Sequence, residues 1–171
     1  SAGVLALAGR SRADEPRTLR FLHDRLQSAA LAAGPTERPV AIHRRLGLQL
    51  VHALGDPPEP GAVIEAVQHL NRGWSGSDDA AHDATWNLRA AGAAQRLGSH
   101  ELAAAFAATG LERAAVADVG HPTLVRTLRT EAMWTAVRLG DHERVMELAA
   151  LVHRDAATPD ERTDAWEATI E

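Results

Sequence analysis

A chain of 171 residues is long enough to bury a core, and its lack of cysteine excludes disulfides and thiolate metal sites. The net charge of −5 speaks against a general nucleic-acid role, because phosphate binding depends on clustered positive charge. All 18 basic residues are arginine, a sign of GC-rich coding bias in so alanine-rich a chain, and the large aromatic anchors reduce to Phe21, Phe106 and four tryptophans. No apolar run approaches the roughly 18 residues of a membrane span, and the N-terminus lacks the basic-then-apolar order of a secretion signal. The expectation is a cytoplasmic protein with no membrane partner.

In chain order, the apolar stretch Gly3 to Ala8, the polar loop Gly9 to Pro16 and the stretch Thr18 to Leu22 suggest a short β-hairpin. From His23 to Ala33 the pattern turns helical, with Leu22, Leu26 and Ala29 or Ala30 on one face and Gly34-Pro35 closing it. Thr36 can cap a helix running to Leu54, whose expected buried stripe is Val40, His43, Leu46, Leu50 and Leu54. Gly55 to Gly61 is a proline-rich linker, after which Val63, Ile64, Val67 and Leu70 give the next helix its apolar face up to Gly73. Ser77 is placed to cap the following helix, with Asp78 and Asp79 at its positive end.

The stretch Trp86 to Ala115 reads as two helices folded back on each other. Trp86, Ala90, Ala93 and Leu97 share one face, Gly98 stops the helix, and Ser99 is expected to cap the next with its hydroxyl, after which Leu102, Phe106 and Thr109 repeat the spacing. The run Ala90 to Ala94, with Gly92 inside it, argues for close approach of another backbone, since Gly in a helix interior costs about 1 kcal/mol relative to Ala. Beyond it, Gly120 stops a helix, Pro122 opens one running to Leu139, Asp141 caps another through His153, and Thr158 to Glu161 is a capping-box start.

One pattern recurs. Arg96-Leu97-Gly98-Ser99-His100-Glu101 returns as Arg138-Leu139-Gly140-Asp141-His142-Glu143 at an offset of 42 residues, with Leu54-Gly55-Asp56 as an earlier echo. A helix–turn–helix unit at a period of about 40 residues is the mark of an α-solenoid. The fold expected is therefore all-α, a solenoid of tetratricopeptide-like hairpins with about seven or eight helices.

Catalytic patterns fail one by one. The residues four on from His100 and His142 are Ala104 and Met146, so the zinc-protease HExxH pattern is absent. No serine sits in a GxSxG turn, and Gly73-Trp74-Ser75-Gly76-Ser77 lacks the lysine of a phosphate loop and runs into two aspartates. His69, Asn71 and Arg72 could form a ligand-binding trio, though a basic helix C-terminus explains them more simply. The acidic residues read as solvated charge on helix faces. No catalytic residue, cofactor or metal is expected.

At Phe21-Leu22-His23-Asp24-Arg25-Leu26-Gln27, Ile42-His43-Arg44-Arg45-Leu46-Gly47 and His69-Leu70-Asn71-Arg72-Gly73, followed by Asn87-Leu88, Ala91-Gly92, Gly110-Leu111 and Leu139-Gly140-Asp141, the chain resembles a known family. It looks like the helical region after the ATPase module of very large bacterial STAND-type "predicted ATPase" sensor kinases and related regulators, over roughly Thr18 to Glu171. It departs from that pattern at Leu31, where an aromatic is usual, and at Gly98-Ser99-His100, where small residues and tyrosine are usual.

The resemblance implies that residues 1–22 are the wing of a winged-helix module and that 23–171 are a tetratricopeptide-like domain whose last helix is cut short. It also implies a nucleotide site upstream and an output domain downstream. The chain then reads as an interior segment whose partners are proteins: its own neighbouring modules or a separate protein. The rival expectation is a helical domain that senses a small effector. Arg72, Trp74, His100 and His142, all in turns, are the candidate interaction surface.

Overall fold

The computed structural model describes residues 5–7, 19–21, 39–76, 79–117, 121–156 and 159–170. The chain divides into two compact units, Ser1–Pro39 and Val40–Glu171. In the first, strands β1 (Leu5–Leu7) and β2 (Leu19–Phe21) pair antiparallel, with Leu5 opposite Phe21 and Leu7 opposite Leu19. The helix expected over 23–33, its Gly34-Pro35 stop and the Thr36 cap lie outside the described residues, as do Ser77, Gly120 and Thr158.

The second unit is all-α. Its described helices are α1 (Pro39–His52), α2 (Pro60–Arg72), α3 (Ala80–Arg96), α4 (His100–Val116), α5 (Pro122–Leu139), α6 (His142–Asp155) and α7 (Pro159–Ile170). From α2 onward each packs on the next in sequence, and α5 also touches α3 and α7. Pro60 and Pro122 each sit in the first turn of a helix, where a missing N–H costs no hydrogen bond. Among the described residues no helix is long and apolar enough to cross a membrane.

The turns that join α3 to α4 and α5 to α6 share one geometry. Gly98 (φ 72°) and Gly140 (φ 69°) adopt the left-handed conformation that a side chain would strain. Around the first, Ser99 N–H donates to Ala94 O and Gly98 N–H to Gln95 O. Around the second, Asp141 N–H donates to Ala136 O and Gly140 N–H to Val137 O. This paired 6→1 and 5→2 bonding is a Schellman closure, and it satisfies carbonyls that the helix end leaves open.

The N-caps that follow differ. Asp141 accepts from Arg144 N–H at 3.1 Å, whereas the Ser99 side chain makes no capping bond, contrary to the expectation for it. Both backbone N–H groups are engaged in their Schellman closures, so the two turns differ in the capping side chain alone.

Two packing expectations also shift. Along α1 the buried residue is Gly47, while Val40 (39% exposed) and Leu46 (36% exposed) face out. The helix meets α2 at Gly47 itself, where an added Cβ would stand 2.7 Å from the Leu70 backbone nitrogen, so the flanking leucine is turned aside. In α3, Ala90, Ala91, Ala93 and Ala94 are fully buried, but Gly92 has only the Arg96 guanidinium near its Cβ position. Leu97 lies past the helix end and is 59% exposed.

The core forms in segments. Val63 and Val67 of α2, the α3 alanines, and Ala103, Phe106 and Ala107 of α4 make one cluster. Met133, Val145, Leu148 and Val152 make another between α5 and α6, and Leu128 joins Ala84 and Ala114 between them. Full burial of each large side chain stabilises the fold by about 1.5 to 3 kcal/mol.

Candidate functional site

The sequence motifs in α1, α2 and α3 converge on one polar seam. Asp83 in the first turn of α3 is fully buried, and both its carboxylate oxygens accept from Nη1 of Arg44 on α1, at 2.7 and 2.6 Å. Nη2 of Arg44 donates to Asp79 at 2.9 Å. Burial opposes the Arg44 charge, but the hydrogen bonds and attraction to Asp83 and Asp79 outweigh it and hold the guanidinium pKa above its ordinary value. The expectation that the acidic residues are solvated surface charge fails at Asp83.

Beside the ion pair, Asn71 and Asn87 donate to each other's amide oxygens at 2.9 and 3.0 Å. Asn87, itself fully buried, also donates to Asp83 O at 2.9 Å. At the end of α2 the backbone of Arg44 comes so near Gly73 that an added Cβ would lie 2.3 Å from its nitrogen. Nδ1 of His43 and Nδ1 of His69 stand 2.8 Å apart.

The proposed trio is thereby dispersed. His69 turns to α1, Asn71 turns to α3, and Arg72 is exposed. Its neighbour Trp74 is half-buried, with the Arg113 guanidinium of α4 lying 4.0 Å above the ring centre. Burial lowers the Arg113 pKa, with Glu112 and Asp83 offsetting part of the effect, and the stacked ring accommodates the charge.

His100 and His142 occupy equivalent first positions of α4 and α6, but His142 is exposed while His100 is half-buried. The His100 Nδ1 is buried without a hydrogen-bond partner among the described residues. Arg72 and Trp74 therefore sit at the α2 end, and the two histidines at two separate turns. Among the described residues no three metal-ligating side chains cluster.

Two further features escape sequence reasoning. Gln95 of α3 donates to the buried Thr135 hydroxyl of α5 at 2.9 Å and accepts from Arg138 at 3.2 Å, a polar tie between alternate helices. A cavity of about 360 Å³ opens between α4, α5 and α6, lined by Leu111, Val125, Leu148 and Leu151 with Arg129 and Arg144 among its polar members. Arg129 pairs with Asp155 and Arg144 with Glu147, so both cations are already engaged. Compared with known protein families, curated proteins and solved structures, the chain matches none.

Proposed function

We propose that this chain is a protein-interaction and coupling domain of a large bacterial signal-transduction ATPase or sensor kinase. In this reading it is an α-solenoid of tetratricopeptide-like hairpins, preceded by the wing of a winged-helix module in residues 1–22, and it relays the state of an upstream nucleotide-hydrolysing module to a downstream output domain. The observation that carries it is the recurrence of one turn: a sequence that differs only at Ser99 against Asp141, with the same glycine conformation and paired hydrogen bonds at Gly98 and Gly140, 42 residues apart, between helices that pack on their sequence neighbours. In such an array each unit leans mainly on the next, so small displacements between units add along the stack and an extended surface faces the partner.

The test uses the full-length protein. Exposed Arg72 and His142 are changed to alanine, the helices are checked by circular dichroism, and ATPase rate and output activity are measured together. The expected result is loss of coupling between the two activities with each module still folded. Deletion of the domain without effect on coupling would overturn the reading, as would substrate hydrolysis by the isolated chain.

The cavity between α4, α5 and α6 supports the second reading, a small-effector sensor, because its walls are mostly apolar and its arginines are already neutralised by Asp155 and Glu147, which suits a compact, mainly apolar molecule. A thermal-shift screen against metabolites and nucleotides separates the two. A rise of several degrees with one compound favours the sensor.

A further inference from the structure

The two rings that bridge α1 and α2 approach through like atoms. Nδ1 of His43 and Nδ1 of His69 are 2.8 Å apart, with ring centres separated by 5.0 Å and planes inclined by 33°. A hydrogen bond at that distance needs one N–H and one lone pair, so the two Nδ1 atoms hold a single proton between them. A first extra proton can go to the outward Nε2 of the donor ring, and the bond survives. A second must go to the accepting Nδ1, which sets two N–H groups of two cations face to face.

The surroundings provide no easy relief for that second charge. On α2, His69 has Arg72 as a like charge and Glu65 as an opposite one. On α1 the adjacent cation is Arg44, and the carboxylates that reach this seam, of Asp79 just before α3 and of Asp83 on it, are occupied by its guanidinium, with His82 also against Asp83 at 3.3 Å. Other fastenings of α1 include that ion pair, the close approach of the Arg44 backbone to Gly73 and the contact of Gly47 with Leu70.

We infer that the His43–His69 pair is an acid-sensitive clasp, holding α1 on α2 while one proton lies between the rings and letting α1 lift when both rings are protonated. The charge balance around His69 runs the same way: burial first, then His43 and Arg72, push its pKa below the ordinary imidazole value, with Glu65 in partial opposition. Below about pH 6.5 the unfolded or lifted segment then binds more protons than the clasped one. The junction is accordingly at full strength above that pH and loses strength as pH falls.

Amide exchange, corrected for its intrinsic pH dependence, tests this by comparing α1 with α4 at pH 6.5 and pH 5.5. Uptake of one proton on opening predicts that protection of α1 relative to α4 falls by up to about tenfold over that unit, and that the fall vanishes in the double variant His43→Gln with His69→Gln. Equal relative protection at both pH values in the wild type would overturn the clasp, as would a pH effect that persists in the double variant. Should that variant not fold, the imidazole proton resonances of the wild type decide. Coupled titration with one midpoint below the ordinary value supports the clasp, and two independent titrations near that value refute it.

Discussion

At the seam where α1, α2 and the start of α3 come together, polar side chains satisfy one another in pairs: Arg44 with Asp83, Asn71 with Asn87, His43 with His69. Further along α3, the contact with α4 is carried by Ala90, Ala93 and Ala94 against Ala103 and Ala107, with no polar partner to satisfy. The seam is sensitive to chemistry, because removing one member strands a buried group. The alanine interface is sensitive to volume, because its side chains are small and its backbones close.

The sharpest way to break this contrast is Arg44→Met, which leaves Asp83 buried beside a hydrocarbon. Loss of one member of a buried pair predicts about 3 to 5 kcal/mol of destabilisation in chemical denaturation. Adding Asp83→Leu should recover much of that loss, whereas two independent losses would mean that the ion pair does not act as a unit.

On the other side, Ala107→Leu keeps the chemistry apolar and changes only size. Its expected cost is about 1 to 3 kcal/mol, and a neutral result would show the α3–α4 interface to be loosely packed. Gly98→Ala and Gly140→Ala then compare the two turns, each expected to lose about 1 to 2 kcal/mol for the left-handed backbone. Equal losses would support equivalence of the turns, and a large inequality would count against it. The smallest effect separates the caps: Asp141→Ala should cost about 1 kcal/mol while Ser99→Ala stays within about 0.5 kcal/mol.

Helices and turns were legible because their signals are local. The Leu-Gly-polar-His-Glu repeat, Pro122 and the 3.6-residue spacing each act within a few positions, and α5 and α6 follow them. The seam was not legible, since Arg44 and Asp83 lie 39 residues apart and Asn71 and Asn87 lie 16 apart, with nothing local to join them. Gly47 was missed for another reason: apolar periodicity gives a glycine no weight, although its missing side chain is what α2 packs into. The candidate surface split along the same line. Arg72 and His142 are exposed as turn residues should be, but Trp74 was claimed by Arg113, a tertiary event, and His100 is half-buried with no hydrogen-bond partner for its Nδ1 among the described residues.

The alanine packing between α3 and α4 also sets which changes the sequence can accept over time. An alanine at 90, 93, 94, 103 or 107 has no bulk to give up except its methyl group, and glycine there costs about 1 kcal/mol of helix propensity. Every other exchange adds atoms to a filled space. A leucine core can drift through compensating swaps of large and small residues, but the fully buried members of this interface are nearly all alanine, with Phe106 and the partly buried Trp86 and Leu102 as its large members. Its tolerated alphabet is therefore narrow and one-sided, so among descendants of this chain these positions should stay alanine or fall to glycine while the outer faces of the same helices diverge freely.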